Sequence, residues 1–266
     1  MQPQRLVAPQ ANPVSVPGPV LVPEPVPEPA AISAKVLPFP TVAPSAVVPD
    51  ASVPRAARLT EFLIFFGVIP LVLWMPISAG LPRLSLLWIA AAYVLYGLWR
   101  DPSFHRRELW NARPLLRHLP QMLALFAAGV MVVGALVHVY LPDLFLSLPR
   151  FHPRFWAFVM ISYPILSVYP QGLVYRTWIL HRYRPIFQPA GASPALLLFA
   201  SATAFAAMHL LFHNWIAVAA TFPGGILFAR RHLTSRSLLV SSLEHALYGC
   251  FLFTVGLGQF FGIHIS

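Results

Sequence analysis

The chain has 266 residues, of which 58% are hydrophobic and only 10% are charged, and its formal net charge at pH 7 is +10. A soluble domain carries about 25% charged residues, so the composition excludes an ordinary soluble enzyme, a nucleic-acid-binding module and a fully disordered chain. The apolar residues form long runs with arginines at their ends, which is typical of membrane spans and their topology signals. We therefore predict an integral membrane protein with no nucleic-acid partner.

The first 56 residues differ in composition from the rest. They hold 14 of the 29 prolines and one aromatic residue, Phe39. Proline fixes φ and removes a hydrogen-bond donor, so the pattern predicts a disordered proline-rich tail over 1–56 ahead of a transmembrane helical domain over 57–266. A signal peptide is not expected, because no uninterrupted apolar core occurs near Met1. The tail is either a solvated segment or a proline-rich docking peptide.

From Leu59 onward, apolar runs are separated by Arg, His, Pro and Gly. A helix of about 20 residues crosses the hydrocarbon core, so the runs predict an all-α, polytopic bundle of about seven transmembrane helices. Pro164 and Pro170 predict a kink or break in the fourth. The predicted spans are 61–79, 84–99, 120–141, 155–183, 193–211, 214–229 and 237–257.

The arginines predict the orientation of the bundle. With the tail in the cytoplasm, ten arginines fall in inner loops and three in outer loops, as the positive-inside rule requires. We therefore expect a multi-pass protein of the bacterial inner membrane with a cytoplasmic N-terminus and an outer C-terminus. The basic stretch 100–119 predicts an amphipathic helix on the inner surface. The inner arginines are Arg100, Arg106, Arg107, Arg113, Arg117, Arg182, Arg184, Arg230, Arg231 and Arg236; the outer ones are Arg83, Arg150 and Arg154.

Polar residues cluster in three of the last four predicted spans. Gln171 and Arg176 lie in the fourth, His209 in the fifth and His245 in the seventh. An ionisable residue at the centre of a span costs roughly 2.5–3.5 kcal/mol on insertion scales, so such residues mark functional sites. At about 1.5 Å per residue all four fall within the membrane interior. We therefore predict that they share one polar cavity.

The sequence around these residues resembles the CPBP family of intramembrane endopeptidases, the CAAX-processing and bacteriocin-processing (Abi) group. That family shows Glu-Glu-x-x-x-Arg on one helix, Phe-x-x-x-His on the next and His-x-x-x-Asn or Asp on a later one. Arg176 matches the first motif, Phe205 and His209 the second, and His245 the third, within about 160–257. The resemblance implies water-mediated hydrolysis of a membrane protein or peptide within the bilayer. It makes Arg176 the residue that orients the first motif, and the two histidines the groups that assist the water and the transition state.

Two motifs lack side chains that the family uses. Its adjacent glutamates fall on Gln171 and Gly172, and the Asn or Asp of the third motif falls on Gly249. A glutamine cannot accept a proton at neutral pH, and general-base catalysis contributes about 10²–10⁴-fold, so hydrolysis should be impaired. Gly172 should also leave a small void or a water beside the histidines. Two functions stay open: an intramembrane endopeptidase, and a catalytically impaired member that acts as a membrane binding or assembly protein.

Two further features admit alternatives. Glu244 is the nearest remaining intramembrane acid, and it is either a catalytic carboxylate or the partner of an arginine such as Arg176. His209 and His213 have i, i+4 spacing, which would put them on one helix face and allow a metal site together with His245. The pair lacks the intervening glutamate of zinc proteases, and we predict no cofactor and no metal.

Overall fold

The computed structural model describes residues 53–78 and 80–263, and over these ranges the chain is helical without a strand, which confirms the all-α prediction. The predicted tail lies outside the described residues, except that the first helix begins at Arg55, two residues before the predicted boundary. Counting this first helix, the described ranges contain seven long helices. They are α1 (Arg55–Trp74), α2 (Arg83–Arg100), α3 (Leu115–Tyr140), α4 (Pro153–Arg182), α5 (Ala195–Phe212), α6 (Trp215–Ser235) and α7 (Leu238–Val255).

Five of these helices are long and apolar enough to cross a membrane: α1, α3, α4, α5 and α7. Helices α2 and α6 occupy the positions of the two short predicted spans. The helices differ in how much of an 18-residue apolar stretch is buried. The buried share is 17% in α1 and 11% in α3, but 50% in α5 and 56% in α7. Helices α5 and α7 therefore lie at the centre of the bundle, while α1 and α3 present apolar side chains such as Met131 outward, as lipid contact requires.

Helix α4 continues through both of its prolines, so of the predicted kink or break the break does not occur, and the helix is disturbed locally instead. Its backbone widens into π-helical stretches at Pro164–Val168 and Leu173–Trp178, with one α-helical turn between them. Proline has no N–H to donate within the helix, and a π-helical bulge is a common way to absorb such a disruption. The second stretch contains Arg176, so the widened backbone sets the direction of that side chain.

The predicted amphipathic helix over 100–119 is also wrong. Between α2 and α3 the chain forms an irregular segment with one 3-10 turn, Arg106–Leu109, in which Leu109 is buried. The Leu109 carbonyl accepts a hydrogen bond from the Tyr169 hydroxyl (3.1 Å), and the Asn111 carbonyl accepts one from Ser237 (2.7 Å). We call residues 101–114 the capping loop, because they fold over the end of the bundle rather than lie along a membrane surface.

Tight connections place α5, α6 and α7 side by side. Asn214 caps the start of α6 by accepting a hydrogen bond from the Ala217 amide (2.8 Å), and Ser237 caps α7 in the same way through the Val240 amide (3.1 Å). A Cβ on Gly225 of α6 would lie only 2.9 Å from the Cα of Ala202, so α5 and α6 approach closely. These short turns bring the end of α5 next to the middle of α7, where the polar motifs lie.

Candidate functional site

Arg176 of α4 and His245 of α7 form the centre of the site. The Arg176 Nη1 donates a hydrogen bond to His245 Nδ1 (3.2 Å), and Nη2 donates to the Val168 carbonyl (3.3 Å). Both side chains are buried. A guanidinium group has only donors, so His245 Nδ1 accepts and the single ring proton sits on Nε2. His245 therefore presents an N–H donor on the side away from Arg176.

The phenol oxygen of Tyr163 accepts a hydrogen bond from that N–H group. Tyr163 Oη lies 3.3 Å from His245 Nε2, which gives a continuous chain of hydrogen bonds from Arg176 through His245 to Tyr163. The same phenol fills the space that a Cβ on Gly249 would occupy. Tyr163 therefore stands where the third motif of the family has its Asn or Asp side chain. Tyr163 is not among the predicted site residues, although a glycine at a motif position is a signal that another side chain fills that space.

His209 joins the site through an aromatic ring. Its Nδ1 donates to the Phe205 carbonyl (2.7 Å), which leaves the lone pair on Nε2. The Phe205 ring lies 4.7 Å from the His209 ring and 5.4 Å from the His245 ring, so the two imidazole centroids are at most about 10 Å apart. The ring of Phe228 stacks on His245 at 4.6 Å. The structure thus brings Arg176, His209 and His245 into one aromatic-lined region.

Gly172 leaves no void, contrary to the expectation from its missing side chain. A Cβ at this position would lie 2.6 Å from Arg176 Nη2, 2.5 Å from Leu238 Cδ1 and 3.0 Å from Ser242 Oγ. The space that a first-motif glutamate would use is therefore taken by the guanidinium group and two side chains of α7. All three are ends of side chains rather than backbone, so they can move.

Gln171 is not drawn into the hydrogen-bond chain. Its amide nitrogen donates to Ser167 Oγ (2.7 Å), one turn earlier on α4. Its Oε1 is buried and accepts no hydrogen bond from the described residues. The side chain therefore follows its own helix instead of reaching Arg176 or the histidines.

Glu244 is the partner of an arginine, as one of its two interpretations expected, but that arginine is Arg231 of α6 and not Arg176. Its carboxylate is fully buried and accepts from Arg231 Nε (2.8 Å) and Nη2 (2.9 Å). Arg231 Nη1 donates further to His118 Nδ1 (2.9 Å) and Gln121 Oε1 (3.2 Å) of α3. Successive residues on a helix point about 100° apart, and Glu244 accordingly faces α6 and α3 while His245 faces the site.

The residues weighed for a metal do not come together. The α-helical part of α5 ends at Met208, and His213 has a left-handed backbone with φ of 55°, so the i, i+4 relation to His209 is lost. The His213 ring lies 6.2 Å from that of Trp74. Within 53–78 and 80–263 no group of three or more His, Cys, Asp or Glu side chains could hold a metal ion.

The chemistry of the site follows from these assignments. The proton of His245 is donated to Tyr163, so the donors that remain are the Tyr163 hydroxyl and Arg176, whose buried Nε has no hydrogen-bond partner among the described residues. His209 Nε2 is an unprotonated nitrogen that accepts no hydrogen bond from the described residues. Among the described residues no carboxylate forms an ion pair with Arg176. Such a set can bind and polarise an oxygen atom, but it lacks the acidic side chain that takes a proton from water in glutamate-based hydrolysis.

Comparison with known proteins finds a family model that matches the same region. Residues 153–251 match the family model described as Rce1-like, type II CAAX prenyl endopeptidase Rce1-like. The match runs from the start of α4 into α7, includes every motif position named above, and is consistent with the CPBP resemblance. No curated protein and no solved structure matches the chain.

Proposed function

We propose that this chain, whose residues 153–251 form an Rce1-like type II CAAX prenyl endopeptidase domain, is a membrane protein that binds a membrane protein or peptide without hydrolysing it. One observation carries the proposal. The position of a first-motif glutamate is Gly172, and the space of the missing side chain is taken by Arg176. The site keeps the groups that hold an oxygen atom and lacks the acid that activates water.

Glu244, the remaining acid, could activate water only at a large cost in stability. Glu244 makes two hydrogen bonds to Arg231, and both side chains are buried. Breaking a buried ion pair by removing one partner costs about 3–5 kcal/mol, because a charge is left uncompensated. Glu244 is therefore a structural ion-pair residue in this proposal, and Gln171, hydrogen-bonded to Ser167, has no basic oxygen to replace it.

The donors of the site indicate what it binds. Arg176 and Tyr163 flank His245, and aromatic rings of Phe205 and Phe228 cover the imidazole on its other sides. Hydrogen bonds from a charged donor to an oxygen are roughly twice as strong as neutral ones. A carbonyl of an apolar peptide fits this combination of donors and rings. The exposed apolar faces of α1 and α3 place the bilayer around the bundle.

A second candidate function is residual hydrolysis with His209 as the base. One observation favours it: His209 Nδ1 donates to the Phe205 carbonyl, so Nε2 holds a lone pair that can accept a proton from water. Histidine is the commonest general base in enzymes. Slow cleavage that disappears in His209→Ala would assign this second function.

Photo-crosslinking tests the proposal. The purified full chain in nanodiscs is incubated with a library of apolar membrane peptides that carry a photoreactive group, and intact crosslinked peptide is counted separately from cleaved peptide. We expect crosslinks to intact peptide that fall at least about tenfold in His245→Ala and persist in His152→Ala, in which the lost histidine is exposed. Crosslinking that is equal in both variants contradicts binding at this site.

A further inference from the structure

A second polar region lies at the end of the bundle where α3 begins and α6 ends. There a cavity of about 400 Å³ opens between the two helices. This volume is within the range of ligand pockets, about 300–1,000 Å³. It is separate from the candidate site, because Glu244 points toward it from α7 while His245 points away. Its lining residues are Arg117, His118, Gln121, Leu125, Leu227, Arg230, Arg231, Leu233, Thr234 and Arg236.

The side chains that line this cavity carry an excess of positive charge. Four of its lining side chains are arginines, and none of the described residues that line it is acidic. Glu244 neutralises Arg231, and Glu108 pairs with Arg236 at 2.8 Å. Arg117 and Arg230 form no ion pair with any described residue. Two like charges that face one partly enclosed space repel each other, so an anion bound between them would be stabilised.

The wall of the cavity is held rigidly by a buried network. Arg231 is 4% exposed, and its Nη1 donates to His118 Nδ1 and Gln121 Oε1. Since the guanidinium only donates, the proton of His118 sits on Nε2. The cavity thus has fixed positions for N–H donors as well as for positive charge. This is the composition of a site for phosphate oxygens.

The rest of the lining is apolar. Leu125 lies about two turns after Arg117 on α3, and Leu227 lies about one turn before Arg230 on α6, so both leucines are nearer the middle of their helices than these arginines. Leu233 is buried at the cavity wall. Helix α3 is one of the five candidate spans, so the cavity begins where the apolar length of that span begins. Basic pockets between membrane helices at this level bind the headgroups of anionic lipids.

We propose that the cavity between the start of α3 and the end of α6 binds a phosphate-bearing anion. Arg117 and Arg230 supply the unpaired charge, and Arg231 with His118 forms the buried wall. The anion has two sources, the headgroup of an anionic phospholipid and a free phosphate in solution. The leucine lining favours the lipid, because it offers a path for an acyl chain.

Lipid retention tests the proposal and separates the two sources. In the first arm, the full chain in a neutral detergent is titrated with phosphatidylglycerol or with phosphatidylcholine, and retained lipid is counted by native mass spectrometry. In the second arm, inorganic phosphate is added without lipid and the thermal unfolding midpoint is followed. We expect a preference for phosphatidylglycerol that weakens about fivefold in Arg117→Gln and again in Arg230→Gln.

Arg113→Gln is the matched control. Arg113 is exposed, lies four residues before Arg117 and does not line the cavity. Its loss removes the same charge from the protein but none from the cavity. We expect lipid retention in this variant within about twofold of the wild type. Stabilisation by inorganic phosphate that is lost in Arg230→Gln, without a preference between the lipids, identifies a soluble ligand at the same site. Equal weakening in all three variants, or no response to lipid and phosphate alike, overturns the proposal.

Discussion

The Nη2 atom of Arg176 lies 2.6 Å from the point where a Cβ would stand on Gly172. The same relationship recurs at the third motif, where the phenol of Tyr163 occupies the space of a side chain on Gly249. His245 joins the two occupants by accepting a hydrogen bond from Arg176 and donating one to Tyr163. Both missing motif side chains are thus replaced by groups of one continuous polar chain.

Adding a methyl group at Gly249 should destabilise the protein. The Tyr163 ring would have to move, and overpacking of this kind costs about 1–3 kcal/mol. We expect Gly249→Ala to lower the midpoint of thermal unfolding in detergent, and Tyr163→Ala in the same chain to recover part of the loss. The matched control is Gly134→Ala on α3, where a new Cβ would lie 4.0 Å from the Phe251 ring, an ordinary van der Waals contact. An unchanged midpoint in Gly249→Ala would contradict the packing of Tyr163.

Removing the charge of Glu244 should have a large effect on stability. Glu244→Gln leaves the buried guanidinium of Arg231 without a counter-charge, which costs about 3–5 kcal/mol. Glu61→Gln is the comparison, because Glu61 accepts the same two hydrogen bonds from Arg182 with both side chains partly exposed, and a third from the Tyr183 hydroxyl that a glutamine oxygen can still accept. Water reaches this pair, so its loss should cost less than the loss of the buried pair, closer to the about 0–1 kcal/mol of exposed pairs. Equal losses in the two variants, measured by chemical denaturation, would show that burial does not decide the strength of the Glu244 pair.

Asp101 in the capping loop should make stability depend on pH. Burial raises the pKa of its carboxyl group, but hydrogen bonds from Ser103 and His181 outweigh burial and leave the pKa below 3.8. A lowered folded-state pKa stabilises the fold above the unfolded value, and the effect is lost as pH falls through the folded value. The difference in unfolding midpoint between the wild type and Asp101→Asn should shrink as the pH falls below about 4, because protonation removes the charge that these hydrogen bonds stabilise. A difference that does not shrink below about pH 4 contradicts this assignment.

The capping loop and the start of α1 should lie on the same side of the membrane. Glu61 of α1 and Asp101 of the capping loop both pair with the end of α4, through Arg182 and His181. Reporter fusions at position 110 and ahead of Arg55 should therefore give the same side, which the arginine bias predicts to be the cytoplasm. Fusions that report opposite sides would mean that α2 does not cross.

The helices were predictable from sequence because their signal is local. Long apolar runs bounded by arginines give the seven helices, and the cost of burying Arg176, His209 and His245 indicates that they meet. The partner of Glu244 was not predictable, because Arg176 and Arg231 are equally plausible without the rotation of α7. The filling of Gly172 and Gly249 depends on side chains from other turns and other helices, which spacing along the chain does not reveal.

The central claim is that this site binds without hydrolysing because its first motif has no carboxylate, at Gln171 or at Gly172. In Gly172→Glu the new side chain displaces only the movable ends of Arg176, Leu238 and Ser242, and its carboxylate can pair with the displaced guanidinium. The control is Gly172→Gln, which has nearly the same shape and no basic oxygen. The double variant with His209→Ala tests whether cleavage uses the rest of the site.

The most direct measurement is the cleavage rate of the membrane-peptide library by these proteins in nanodiscs. We expect no cleavage above background by the wild type and by Gly172→Gln. Gly172→Glu should raise the rate about 10²–10⁴-fold, and adding His209→Ala should abolish the gain. Cleavage by the wild type at a rate that Gly172→Glu does not increase would contradict the claim.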